Sequence, residues 1–178
     1  MKNIDATLEI LCELNPDYIS VTFGAGGSSN NNKTIDLAKK IKQEYHVEPV
    51  VHLTCLCYDK QEIDEFAKVL QAEGIENVLA LRGDRNPNLP EKPDFKYASN
   101  LVKHLNANYD FCIAGACYPE CHPESESRVS EIRNLKKKVR KKSCPYSRSQ
   151  NAPPGQTDPA WRYCVVSRCR GIRQYDKC

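Results

Sequence analysis

Apolar and polar positions along most of the chain alternate between two regimes. Stretches with apolar residues three and four apart give way to short, nearly continuous apolar runs, and the cycle repeats. In residues 5–14, Leu8, Leu11 and Cys12 share one helical face, which Ile10 and Leu14 widen. Asp5 is placed to cap that helix, and Asn15-Pro16-Asp17 stops it. Tyr18 to Phe23 reads Tyr-Ile-Ser-Val-Thr-Phe and predicts a strand rich in aromatic and β-branched residues. A helix is expected over Thr34 to Tyr45, with Ile35, Leu37, Ala38 and Ile41 inward and lysines outward. Glu48 to Cys55 predicts a second strand. Gln61 to Ala72 predicts a helix with Ile63, Phe66, Ala67 and Leu70 on one side and Gly74 as its stop. Val78 to Asp84, Val-Leu-Ala-Leu-Arg-Gly-Asp, is an apolar run with an abrupt polar tip, as for a strand buried on both faces. Phe95 to Leu105 carries helical spacing, and Tyr109 to Ala116 predicts a fourth strand. Ser130 to Val139 places Ile132, Leu135 and Val139 on one helical face and a basic surface opposite.

The resulting order is α-β-α-β-α-β-α-β-α. Strand ends near Thr22, Thr54, Arg82 and Cys117 recur about every 30 residues, the spacing of βαβ crossovers in a parallel sheet. The fold class is α/β. A barrel segment and an open doubly wound sheet both satisfy the pattern. In either, the strand C-termini share one rim. That rim would collect Thr22 with the loop Gly24-Ala25-Gly26-Gly27-Ser28-Ser29, His52 with Thr54, Arg82 to Asp84, and Tyr118 to Glu124.

The members differ in what they suggest alone. The glycine loop could present backbone N–H groups to a phosphate, but it lacks the Lys-Ser/Thr of a P-loop and the G-x-G-x-x-G spacing. His52, inside an apolar run, reads either as a hydrogen-bonded core residue or as part of the site. Glu120 and Glu124 could serve as an acid–base pair or stand solvated. Cys117, Cys121 and His122 lack a fourth ligand, so no metal is assigned. Taken together, aromatic, imidazole and small-residue loops suit a flat heteroaromatic cofactor.

Composition adds a boundary. The net charge of +3 conceals 17 Lys/Arg against 21 Asp/Glu in residues 1–139, and 9 against 2 in residues 140–178, a basic tail of +7. That tail holds Pro145, Pro153-Pro154, Pro159 and four of the ten cysteines, and only Tyr163 to Val166 hints at a strand. Two segments are therefore expected, an α/β unit over 1–139 and a basic, Cys/Pro-rich tail over 140–178. Cys12, Cys55, Cys57, Cys112, Cys117 and Cys121 sit in or beside apolar runs and read as reduced core residues. No run of 18 apolar residues exists to span a membrane, and the polar Met1-Lys2-Asn3-Ile4-Asp5 lacks a signal peptide's apolar core. A cytoplasmic location is expected.

Six segments now carry a resemblance. They are Ile19-Ser-Val-Thr-Phe-Gly24, Val51-His-Leu-Thr-Cys55, Ala80-Leu-Arg-Gly-Asp84, Tyr97-Ala-Ser99, Tyr118-Pro-Glu-Cys-His-Pro-Glu124 and Asn134-Leu-Lys-Lys-Lys-Val139. In this order they resemble the methylenetetrahydrofolate reductases, flavin enzymes that reduce 5,10-methylenetetrahydrofolate to 5-methyltetrahydrofolate with NAD(P)H. The resemblance implies part of a (β/α)8 TIM barrel, about four βα units, with FAD at the C-terminal rim and a folate as substrate. It implies Thr22 and Phe23 beside the flavin and nicotinamide. His52, Leu81, Arg82, Gly83, Tyr97, Ala98, Tyr118 and His122 resemble FAD contacts. Asp84 matches the catalytic carboxylate near flavin and folate. Glu131, Asn134, Lys137 and Lys138 fall where the family contacts the cofactor's ribose, phosphates and adenosine. Glu131 stands where a shorter Asp is common.

The departures carry expectations of their own. The family's Phe-Glu-Phe-Phe-Pro-Pro-like strand, with the glutamate that protonates folate, has no counterpart here, nor does the Asp-Ala-Gly-Ala segment after Val139. Four strands would leave two open sheet edges. The expectation is a truncated chain, weakly active or inactive alone, whose tail is disordered or the product of a shifted reading frame. A non-catalytic barrel fragment is the alternative. Nucleic-acid binding through the basic tail is a weaker one, since no recognition motif accompanies the charge. Oligomeric state is left open, a homo-oligomer included.

Overall fold

A computed structural model of the chain describes residues 2–22, 31–85, 87, 90–117, 125–140 and 163–165. Its elements are α1 (Lys2–Glu13), β1 (Tyr18–Val21), α2 (Asn31–Gln43), β2 (Glu48–Thr54), α3 (Lys60–Ala72), β3 (Asn77–Leu81), α4 (Ala98–Asn108), β4 (Cys112–Cys117), α5 (Arg128–Arg140) and β5 (Tyr163–Val165). Every strand and helix expected over residues 5–139 is present, with ends displaced by a few residues.

The sheet order is β1-β2-β3-β4-β5. The first four strands are mutually parallel and adjacent in chain order, with Val21 beside Val51, Val51 beside Val78, and Val78 beside Ile113. One sheet face and the helices share a single core. Ile35, Ala38 and Ile41 of α2, Ile63, Ala67 and Leu70 of α3, and Leu101 and Leu105 of α4 cluster with Val51, Leu53, Val78, Ala80 and Ile113. A doubly wound sheet reverses its strand order and puts helices on both faces. Strands in simple sequence with the helices on one side are instead the geometry of a (β/α)8 barrel segment. The other face would line the barrel interior, and it carries a small cluster of Val50, Leu79 and Ala114 with Leu81 against it.

Local chemistry explains the element ends. Asp59 caps α3, accepting from Glu62 N at 3.0 Å, while the Glu62 carboxylate accepts from Asp59 N at 2.8 Å. Lys92 bridges both carboxylates, at 2.9 and 2.7 Å. Ser127 and Ser130 exchange backbone-to-hydroxyl bonds at 3.1 and 3.2 Å ahead of α5. Phe95 lies ahead of α4 rather than within it, because Tyr97, just before Ala98, is extended, and Phe95 is fully buried.

Three expectations are corrected. The apolar face of α1 is largely uncovered: Leu8 is buried, but Ile10, Leu11 and Leu14 are exposed. The helix meets the core through Leu8 and is tied to α2 by Asp5 and Lys40 at 2.7 Å. Likewise Ile132 of α5 is exposed rather than packed inward, as is Val129. The open edge expected at β4 is partly covered, since β5 pairs with it antiparallel, Cys117 opposite Tyr163 and Gly115 opposite Val165. The other tail residues, and the expectations placed on them, lie outside the described residues.

Candidate functional site

The register puts the C-terminal ends of β1, β2 and β3 at one rim, with Val21 level with Val51 and Thr54 level with Leu81. The rim is tied together by backbone. Arg82 O accepts from Cys55 N at 3.2 Å and Leu56 N at 2.8 Å, so the tips of β2 and β3 form one unit. Lys92 N donates to Leu56 O at 2.9 Å and fastens the next loop to the same unit.

Gly83 is where this unit turns. Its φ is +88°, in the left-handed region that other residues rarely adopt. A Cβ there would lie 3.1 Å from Thr54 Cβ. Glycine therefore serves twice, for the dihedral and for the close approach. The turn carries Asp84 out of the sheet into an exposed position, while Leu81 and Arg82 remain half-buried. Arg82 Nε donates to Gly83 O at 3.3 Å, bracing the turn.

His52 is half-buried on the interior-facing side of β2, between Val51 and Leu53, which face the helices. Its Nε2 lies 2.6 Å from the hydroxyl of Ser20 on β1. Burial holds its pKa below the ordinary imidazole value, so the ring is neutral near pH 7. Thr22, just beyond β1, is exposed, and its carbonyl accepts from the buried Thr34 of α2 at 3.4 Å.

Tyr97 and Ala98 start α4, whose N-terminus follows β3 and so faces the same rim. Asn100 reaches back to accept from Tyr97 N at 3.0 Å. The Tyr97 ring stays exposed, with Lys96 Nζ 5.5 Å from its centroid. Glu131 is half-buried in the first turn of α5 and Asn134 is exposed one turn on. Lys137 and Lys138 belong to the same helix.

The structure thus brings Thr22, His52, Leu81 to Asp84, Tyr97 and Ala98 to one end of the sheet. Phe23, Tyr118 and His122 lie outside the described residues, as do the glycine loop 24–29, Cys121, Glu120 and Glu124. Two contributors escaped the sequence reading. Ser20 shares a face with Thr22 by strand alternation, a visible signal, but its partner His52 is 32 residues away. Lys92 reads as a solvated loop charge until α3 is placed beside it. Cys55, next to the rim, is no nucleophile: burial pushes its thiol up to about 12.

The donor set fits a flavin nucleotide. A neutral imidazole and an exposed phenol ring can border a heteroaromatic system, and a glycine turn allows close backbone approach.

Comparison with known proteins agrees with this geometry. The model of the methylenetetrahydrofolate reductase family matches residues 1–143. The 5,10-methylenetetrahydrofolate reductase of Escherichia coli (strain K12) is 39% identical over 133 residues, which is 75% of this chain and 44% of that protein. That of Buchnera aphidicola subsp. Baizongia pistaciae (strain Bp) is 40% identical over 139 residues, 78% of this chain and 46% of that protein. Methylenetetrahydrofolate reductase (NADH) 1 of Arabidopsis thaliana is 33% identical over 154 residues, 78% of this chain and 26% of that protein. The chain spans about half the length of the bacterial relatives it matches.

Proposed function

The chain belongs to the methylenetetrahydrofolate reductase family, and from that premise we propose that its rim is the FAD-binding part of a site that reduces 5,10-methylenetetrahydrofolate to 5-methyltetrahydrofolate. When bound, FAD would take a hydride from NAD(P)H and deliver it to the folate. The chain's own residues supply placement and charge. Thr22 and Phe23 would border the flavin and nicotinamide. His52, Leu81, Arg82, Gly83, Tyr97, Ala98, Tyr118 and His122 would line the cofactor, and Glu131, Asn134, Lys137 and Lys138 would hold its nucleotide end. Asp84 would stand at the reacting end, its carboxylate opposing further negative charge on the cofactor.

The observation that carries this reading is the unit formed by the β2 and β3 tips. Gly83 at φ +88° turns the chain so that Asp84 is exposed at the same end of the sheet as the half-buried, neutral His52. An exposed carboxylate at a sheet end that also carries a neutral imidazole and the Arg82 guanidinium is arranged to act on a ligand's charge.

The test is titration of the purified 178-residue chain with FAD, followed by flavin fluorescence and the visible spectrum. Saturable quenching with a protein-bound flavin spectrum is expected, and its loss in Tyr97→Ala and His52→Ala together. Colourless protein that leaves flavin fluorescence unchanged would refute the assignment. Oxidation of NADH or NADPH by the loaded chain, with an artificial electron acceptor, then identifies the nicotinamide donor. Turnover of the folate by this chain alone is expected to be small, because its residues match about half of a relative.

A further inference from the structure

Ser20 has no role in the core. It sits between Ile19 and Val21, which pack toward the helices, and is exposed on the opposite side of β1. An isolated strand position of that kind favours a β-branched residue. Here a serine stands directly opposite Val50 and reaches His52, two residues further along β2, diagonally on the same face. At 2.6 Å the two atoms are hydrogen-bonded, and with no other acceptor for the Ser20 hydroxyl among the described residues, donation to the ring nitrogen uses its hydrogen. The ring's surroundings agree. Its inward neighbours Val50 and Leu79 are buried and apolar, and among the described residues no other hydrogen bond to the ring is formed.

We infer that Ser20 is a positioning residue for His52: its hydroxyl donates to Nε2 and holds the imidazole as the Nδ1–H tautomer, with Nδ1–H free to donate to an acceptor atom of a bound heteroaromatic ligand. Neutral imidazole has one donor and one acceptor nitrogen, so fixing one assigns the other. Without the serine both tautomers are accessible, and half of the ring's recognition function becomes conditional on the ligand. The part concerning the ligand rests on the reading that the rim binds FAD. The tautomer itself does not.

The experiment uses the full chain with ring-¹⁵N histidine and long-range ¹H–¹⁵N correlation above pH 7, where His52 is neutral. His52 is assigned by the signal lost in His52→Gln. Expected is one protonated nitrogen, Nδ1, with Nε2 showing the shift of an unprotonated acceptor. Ser20→Ala should pull both nitrogens toward averaged shifts, and Ser20→Thr, which keeps the hydroxyl, should restore the separation. A native Nε2–H tautomer, averaged native shifts, or a Ser20→Ala spectrum identical to native would each overturn the inference. FAD titration supplies the second readout: Ser20→Ala should weaken binding by about fivefold, the effect of one net hydrogen bond, and Ser20→Thr should not. If the native chain binds no FAD but shows the Nδ1–H tautomer, the cofactor reading falls and the positioning role stands. If FAD binds and Nε2 carries the proton, the positioning role falls alone.

Discussion

Two neighbouring residues, Gly83 and Asp84, concentrate most of what the site can do. Gly83→Ala would force a Cβ into the left-handed region and to 3.1 Å from Thr54 Cβ. The expected loss is about 1–3 kcal/mol, read as a lower midpoint in urea unfolding with an unchanged slope. Asp84 is exposed, so Asp84→Asn should leave that midpoint within about 0.5 kcal/mol of native. Its effect should fall on bound flavin instead. Removing a nearby negative charge favours the electron-rich reduced form, so the potential should rise in a dye-equilibrated reductive titration. An unchanged potential would show that the carboxylate acts on something other than the cofactor. The tetrapeptide Leu81-Arg82-Gly83-Asp84 was legible as a strand tip from its letters. The positive φ was not, because a glycine in a loop is permitted that dihedral without being obliged to adopt it.

Between elements, the join of α3 to α4 depends on one carboxylate. Asp64 of α3 accepts from Tyr109 Oη at 2.6 Å and lies 2.7 Å from His104 Nε2 of α4. Phe95 packs edge-on against His104, with centroids 5.4 Å apart, so this join also backs the segment that leads to Tyr97. Burial pushes the Asp64 pKa up, but the hydrogen bonds from Tyr109 and His104 outweigh it and the net shift is downward. The sign follows. A carboxyl with a lower pKa in the folded state contributes stability above its unfolded value, about 4, and that contribution disappears as pH falls through the folded value. Asp64→Asn should therefore be less stable than native at neutral pH, with the gap closing in acid, in thermal melts taken across that range. A gap independent of pH would show that charge plays no part. Tyr109→Phe should cost about 1 kcal/mol in the same melts. His104 and Tyr109 belong to predicted elements, but nothing in the spacing pairs them with a residue 40 or 45 positions earlier.

At the scale of the molecule, the α/β unit is a parallel sheet with one helix-covered face and, among the described residues, β1 as its outermost strand. Ile10 and Leu14 of α1 are 64% and 75% exposed, and Tyr18 at the edge is 41% exposed. An exposed apolar helix face favours association between copies. Ile10→Lys together with Leu14→Lys should reduce concentration-dependent association in sedimentation velocity. Unfolding free energy should change by less than about 1 kcal/mol, since neither side chain lies in the core. Undiminished association would move its cause to another surface. Helical periodicity alone put these residues on one apolar face, because it reports a stripe and not what stands opposite it.

The alternation of three-to-four-residue and continuous apolar spacing determined the elements, their order and the parallel sheet, since those depend on local periodicity and short connections. Motif order along residues 1–139 likewise determined the family. Tertiary structure decided that the sheet is a barrel segment, through strands in simple sequence with helices on one face. It also decided which apolar stripes are buried and that Tyr163–Val165 closes against β4. The rim's working details, Ser20 on His52 and Thr54 beneath Gly83, belong to tertiary structure for the same reason. Each joins residues about 30 apart, and such separations are set by register between strands, which local spacing does not encode.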